Sequence, residues 1–482
     1  MKLQSSRFRA IASGLVVALA LPIGGAERPR YGGALHVEIG ASVAALDPGV
    51  VSENPDEAGA KDDLLPLVFE TLVTLDANGA PQPGLATSWN ADAAQKTWSF
   101  ALRRGVKFHD GSLVTSGAVA AALEAANPDW KVQTGGGIGG VLYEMIQIST
   151  SSTAPDLPEQ LAEIRYAIWK RTADGSVVGT GPFKITTWEA RKRAVFAENQ
   201  DYWAGRPFLD SVDVQMGQPA KNRAIDLQLG KADLVDLPPD LARRASDDKL
   251  RVSTTSPAEL LALVFPPGHK ATDDARVREA VAKSIDRAAI VTFILQKQGE
   301  PAASLLPQWL SGSAFLFAAS ADPVAAHALW TQIHAAPALV LGYDSNEPLE
   351  QAVAERIAVN AKEAGILLSA RAIPANSNAA PIAARIVRAR FDSPEPRLAL
   401  ADLLANFAPI LGEDATPLPA SATSEELYAR ERAALDTYRV VPLVHLPRIY
   451  GLGTRVRNWQ ILPGQSLEGW RLADVWLEEE AP

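Results

Sequence analysis

The residues able to do chemistry are few, and their spacing does not assemble them. The histidines are His36, His109, His269, His327, His334 and His445. None forms a pair four apart around a glutamate, the arrangement that turns two zinc ligands onto one helix face. His327 and His334 stand seven apart and share a helix face, yet no carboxylate or cysteine beside them completes a metal site. No serine sits in a Gly-x-Ser-x-Gly turn, so that class of hydrolase has no support. The run Gly135 to Gly140 lacks the Gly-Lys-Ser/Thr that grips phosphate. Cysteine is absent. That excludes structural disulfides, thiolate metal sites, cysteine nucleophiles and lipid attachment at an N-terminal cysteine. The carboxylates are scattered, and no pair is set by sequence as acid and base. These negatives favour a binder over an enzyme, with no cofactor and no metal.

The elements that must position any binding residue are mixed. Leu35, Val37 and Ile39 alternate with His36 and Glu38, the period of a half-buried strand. Residues 64–69 read as helix, 71–75 as strand, and Asp76-Ala77-Asn78-Gly79 as a hairpin turn. Trp98, Phe100 and Leu102 share one strand face, and Ser116 to Ala126 is helical until Asn127-Pro128. Residues 131–160 are weakly patterned, and within them the Gly-rich stretch Gly135 to Gly140 and the Ser/Thr/Pro-rich stretch Ser149 to Pro158 read as loops. Ala194 to Phe196 and Val212 to Val214 are short strands. Arg276 to Gln296 predicts one long amphipathic helix, capped by Thr272-Asp273-Asp274. A helix over Pro348 to Ala364 stops at Gly365 and leads into a strand, Ile366 to Ile373. The helix Glu425 to Tyr438 precedes the strand Val440 to Leu446. No internal repeat is visible. The mixture argues for a multi-lobed α/β protein.

At 482 residues the chain is long enough for about three structural units. Its formal charge of -10 excludes broad nucleic-acid binding, which needs a basic face. The start reads as an export signal: Lys2, Arg7 and Arg9, then the short apolar run Ile11 to Ile23, then Gly24-Gly25-Ala26 as a cleavage point. The other reading is an uncleaved anchor, although the run falls short of the ~20 residues of a membrane span. The expectation is a periplasmic protein released by a cleavable signal peptide, and not a lipoprotein.

Several segments together resemble the extracellular solute-binding proteins of family 5, the peptide/nickel class serving ABC importers. They are Gly32-Gly33-Ala34-Leu35, Val68-Phe69-Glu70-Thr71-Leu72-Val73, and Pro83-Gly84-Leu85-Ala86-Thr87-Ser88-Trp89. The strongest runs from Thr97 to Ser112. Others are Gly179-Thr180-Gly181-Pro182-Phe183, Glu198 to Trp203, and Arg276 to Arg287. The resemblance implies a three-lobed periplasmic binding protein: two clamping lobes, an inserted small domain, and a ligand cleft between lobes. The N-terminal lobe would comprise 27–60, 178–258 and 450–482, the insert 61–177, and the second lobe 259–449. The implied function is hinged capture of a peptide-like solute, as a monomer, for an inner-membrane ABC permease. The alternatives are an oligosaccharide, nickel chelate, haem or opine-like ligand, or a degenerate binder without a transport role.

The resemblance also nominates residues. Phe391-Asp392-Ser393-Pro394-Glu395-Pro396 matches the cleft segment whose Asp, in peptide-binding members, pairs with the ligand's α-ammonium. Asp392 is therefore the leading anchor; its own local reading is a surface turn. Arg390, after Arg385 and Arg388, is placed to take a ligand carboxylate by a bidentate fork or to lie exposed. Phe69, Glu70 and Thr71 match a segment that lines the cleft in relatives, where their backbone would pair with an extended peptide, with Phe69 equally suited to core. Tyr143 and Trp309 are further cleft candidates. The chain departs from the family pattern at Arg388-Ala389-Arg390-Phe391, which carries no Trp, and at Val264 to Pro267, which carries no Asn.

Overall fold

The computed structural model describes residues 28–478, apart from 51, 53, 77, 139–140, 313–318, 334–335, 375–381, 417 and 462–468; the side chains of 136–138 and 141–143 also lie outside it. The signal-like segment and His334 are thus outside the described residues.

Leu35 and Val37 bury one face of the strand Ala34–Glu38, as their alternation requires. This strand pairs in parallel with Ser211–Gln215 on one side and Leu234–Asp236 on the other. The seven-stranded sheet around it runs in the order Phe183–Glu189, Arg193–Glu198, Ser211–Gln215, Ala34–Glu38, Leu234–Asp236, Ile449–Leu452 and Arg251–Thr254. A six-stranded sheet runs Glu300–Pro301, Val440–Leu446, Glu259–Val264, Ala384–Arg390, Leu339–Asp344 and Leu368–Ile373. Its central strands Glu259–Val264 and Val440–Leu446 are buried at every residue, which explains their near-continuous apolar sequence. A four-stranded antiparallel sheet holds Ala86–Ala91, Thr97–Leu102, Val141–Ser149 and Lys131–Ile138.

Two expectations change. The loop expected over Gly135 to Gly140 is strand as far as Ile138: Lys131–Ile138 pairs antiparallel with Val141–Ser149. Val132, Ile146 and Ile148 are buried in the core of the four-stranded sheet, a two-residue period that the neighbouring glycines mask. The helix expected over Arg276 to Gln296 ends at Ser284. Ile285 takes an extended backbone, and Asp286 caps a fresh turn by accepting from Ala289 N, after which a π-helical turn occupies Ile290–Ile294. The boundary expected at residue 60 falls inside the helix Pro55–Val68. Leu64, Leu65, Leu67 and Val68 pack into the core of the seven-stranded sheet and hold that helix there.

Candidate functional site

Two segments connect the sheets. Arg251–Thr254 leads through Thr255 into Glu259–Val264, and Val440–Leu446 leads through Arg448 into Ile449–Leu452. The crossings bond to each other: Thr255 N donates to Arg448 O at 2.9 Å, and Arg448 N donates to Thr255 Oγ1 at 2.9 Å. A narrow two-stranded joint of this kind concentrates bending in a few backbone torsions.

The helix Pro55–Val68 lies across this joint. Asn54 caps it by accepting from Glu57 N, with Pro55 in the first turn. Asp56, Gly59 and Asp62 or Asp63 recur three to four residues apart and so share a face. The opposing strand Ala384–Arg390 presents Arg388 and Arg390 two residues apart on one side. Arg388 Nη1 meets Asp56 Oδ1 at 2.7 Å, and its Nη2 donates to Glu259 Oε2 at 3.2 Å. Arg390 Nη2 donates to Asp62 Oδ2 at 2.8 Å. A methyl group on Gly59 would overlap the Arg390 guanidinium, so the missing side chain makes that approach possible. Arg448 pairs with Asp63 and donates to Gly59 O at 3.1 Å, while Tyr450 Oη donates to Asp63 Oδ2 at 2.6 Å. Burial pushes the Asp62 carboxyl up to about 7, against the pull of Arg390 and with the help of Asp392. Burial likewise raises Asp63, opposed by Arg448 and the Tyr450 hydrogen bond.

The second rim is the loop from Phe391 to Arg397. Phe391 is fully buried, its ring 6.4 Å from that of Trp309. Asp392 is exposed, and its backbone N donates to Asp402 Oδ2 at 3.2 Å. Glu395 caps the helix Pro396–Leu411 by accepting from Leu398 N at 2.8 Å. Asn406 Nδ2 donates to Arg390 O at 3.2 Å, tying helix to strand. Arg397 forms an ion pair with Asp156, which bridges this rim to the segment 156–166. Burial and the nearby Asp392 push the Asp402 carboxyl up to about 6.

The structure brings Arg390 and Asp392 to this face and engages the other nominated residues elsewhere. Phe69 is buried in the core of the seven-stranded sheet. Glu70 accepts from Thr180 Oγ1 at 2.7 Å, Tyr202 Oη at 2.9 Å and Trp203 Nε1 at 3.0 Å, and its carbonyl accepts from Ile168 N. Thr71 is buried and donates to Val73 O. The Glu70 and Thr71 side chains thus knit chain segments together, and Phe69 belongs to the core. Trp309 Nε1 donates to Pro257 O at 2.9 Å, so this residue braces the joint and the Asp392 loop from behind. Tyr143 lies on the strand Val141–Ser149, with its side chain outside the described residues. Arg390, open on sequence to a ligand carboxylate or to solvent, has Asp62 as its partner here. Asp62, Asp63, Gly59 and Arg448 escaped the sequence reading. Their signal was the helical spacing of acids ahead of the apolar run at 64, visible only with the helix started at Pro55.

The model for "Bacterial extracellular solute-binding proteins, family 5 Middle" matches residues 80–395. The probable D,D-dipeptide-binding periplasmic protein DdpA of Escherichia coli is 24% identical over 397 residues, covering 76% of this chain and 75% of that protein. Protein XP55 of Streptomyces lividans is 27% identical over 259 residues, 50% of this chain and 47% of that one. NikA from Brucella suis in complex with Fe(III)-EDTA superposes with a TM-score of 0.79 at 20% identity, covering 92% of this chain and 100% of that one. DppA from Helicobacter pylori in complex with the peptide STSA gives 0.73 at 18%, covering 94% and 99%. The likeness to these structures shows the fold, an α/β binding protein of the family 5 type. With the family model matching residues 80–395, well over half of its length, the chain belongs to the bacterial extracellular solute-binding proteins, family 5.

Proposed function

We propose that this chain is exported behind its first 26 residues, closes two lobes on a peptide-like solute, and delivers it unaltered to an inner-membrane ABC permease, acting as a monomer. The carrying observation is the two-stranded joint under a face of opposed charges, with Asp62 and Arg390 supplied from opposite sides of it. Such a face separates when the joint opens and re-forms around a guest when it closes. Asp392 is the anchor for the ligand's ammonium. It is exposed on a loop held by Asp402, Asn406 and the Phe391–Trp309 contact. Asp62 and Arg390 are a ready-made zwitterion partner: a ligand ammonium and carboxylate can exchange with them as charge-assisted bonds. On this reading the first lobe is built from 27–60, 178–258 and 450–482 with the whole of the helix Pro55–Val68, the insert follows that helix to 177, and the second lobe is 259–449.

The test is thermal denaturation against panels of short peptides, oligosaccharides, nickel chelates, haem and opines, with small-angle scattering for closure. Ligand at 100 times its dissociation constant adds about 2.7 kcal/mol to stability. A shift by peptides with compaction supports the reading; a shift by sugars or chelates alone replaces the ligand class. Asp392→Ala should weaken an amino-bearing ligand by more than about tenfold in calorimetry, and unchanged affinity removes Asp392 from the site.

A further inference from the structure

The segment from Asp156 to Arg165 faces the loop and helix at 392–402, and it holds buried acceptors in search of donors. Asp156 and Glu163 keep only 11% and 2% of their side-chain surfaces exposed. Asp156 Oδ1, Glu159 Oε2 and Glu163 Oε1 are buried with no hydrogen-bond partner. The two nearby guanidiniums are in ion pairs, Arg397 with the other oxygen of Asp156 and Arg165 with Oε2 of Glu163; Arg397 Nη2 and Glu163 Oε2 are themselves buried without a hydrogen-bond partner. More negative charge stands on the far side. Asp392 and Asp402 act electrostatically on Glu163, and Glu395 acts on Glu159. The seam thus gathers Asp156, Glu159, Glu163, Asp392, Glu395 and Asp402 around Arg165 and Arg397. Buried acceptors without donors are unfavourable, and buried carboxylates without compensating charge more so.

We propose that this seam is a subsite for a cationic group of the ligand, a lysine- or arginine-like side chain on a peptide-like solute. Several N–H donors on a positive centre answer both deficits at once: they fill the empty acceptors of Asp156, Glu159 and Glu163, and they balance the excess carboxylates. A divalent ion answers them less well, because among the described residues no three His, Cys, Asp or Glu are grouped closely enough to hold a metal. Burial pushes the Glu163 carboxyl up to about 8, Arg165 opposing and Asp402 and Asp392 adding to the rise. The selected solutes are therefore basic. The inference rests on the peptide-like reading above, and the experiment separates the two.

Tripeptides with lysine, arginine or norleucine between two alanines are titrated into the purified protein by calorimetry. In parallel, argininamide, a cation without a peptide chain, is followed by thermal shift. The lysine and arginine peptides should bind at least about tenfold more tightly than the norleucine peptide. Glu163→Gln should bring that ratio toward one, with Glu159→Gln as a second variant should the first fail to fold. Argininamide should raise the melting temperature of the wild type and not of Glu163→Gln. If the neutral peptide binds and lysine brings no gain, the seam proposal is overturned and the peptide-like reading stands. If argininamide stabilises only through Glu163 while no tripeptide binds, the peptide-like reading falls and the seam stands. An absence of binding by every probe overturns both.

Discussion

Arg390 Nη2 and Asp62 Oδ2 meet at 2.8 Å although 328 residues separate them in the chain. One belongs to the strand Ala384–Arg390 of the six-stranded sheet, the other to the helix packed on the seven-stranded sheet. The pair is made across the joint, and Gly59 leaves the room for it. It sits in a row with Arg388–Asp56 and Arg448–Asp63. Three arginines thus face one acidic helix.

Gly59→Ala should displace the Arg390 guanidinium from Asp62. The obstructed atom is the tip of a flexible side chain, so overall stability should fall by no more than about 1 kcal/mol. The closed form should suffer instead. Small-angle scattering should show a larger radius of gyration, matching Arg390→Ala. Scattering curves that superpose on the wild type would mean that the pair does not bias closure.

Gly181→Ala should behave in the opposite way. An added methyl would run into the Leu67 and Val68 backbone, and Gly181 N donates to Val68 O at 2.9 Å. Backbone cannot step aside as a side-chain tip can. The expected loss is about 2–3 kcal/mol in urea denaturation. A loss within experimental error would show that this approach has slack.

Glu70→Ala should cost about 3 kcal/mol or more, because it strands the Thr180, Tyr202 and Trp203 donors. Glu70→Gln should cost less, since the amide still accepts through its oxygen. Both should leave the affinity of correctly folded protein for ligand unchanged. Loss of affinity at full stability would return Glu70 to the ligand.

Stability should fall as pH rises from about 5 to about 8. Burial pushes Glu431 up to about 7, against the Leu305 and Leu306 backbone N–H groups that it accepts from. Asp62 is pushed to about 7, Asp402 to about 6 and Glu163 to about 8. Unfolded, such groups titrate near 4. Between the two values the folded chain holds more protons than the unfolded one, so raising the pH favours unfolding. The penalty is absent below the unfolded pKa and complete above the folded one. Urea midpoints at about pH 5.5 and pH 8 check the sign; a higher midpoint at the alkaline end would contradict it.

Much of the scaffold was fixed by local pattern. The alternation of Trp98, Phe100 and Leu102, the helix Ser116–Ala126 with its stop at Asn127, and the turn at Gly365 all appear where the residues call for them. Periodicity and capping act over a few residues, so a sequence carries them directly. The absence of cysteine and the family motifs are likewise properties of the chain alone. Tertiary structure decided the rest. That Glu70 is consumed by Thr180, Tyr202 and Trp203, that Asp62 answers Arg390, and that Glu163 is left short of donors depend on segments meeting from distant parts of the chain. A carboxylate reads the same in sequence whether it is paired, sealed or waiting. Its role is set by the charges and donors that folding brings within a few ångströms, and those are chosen by the packing of the two sheets on their joint.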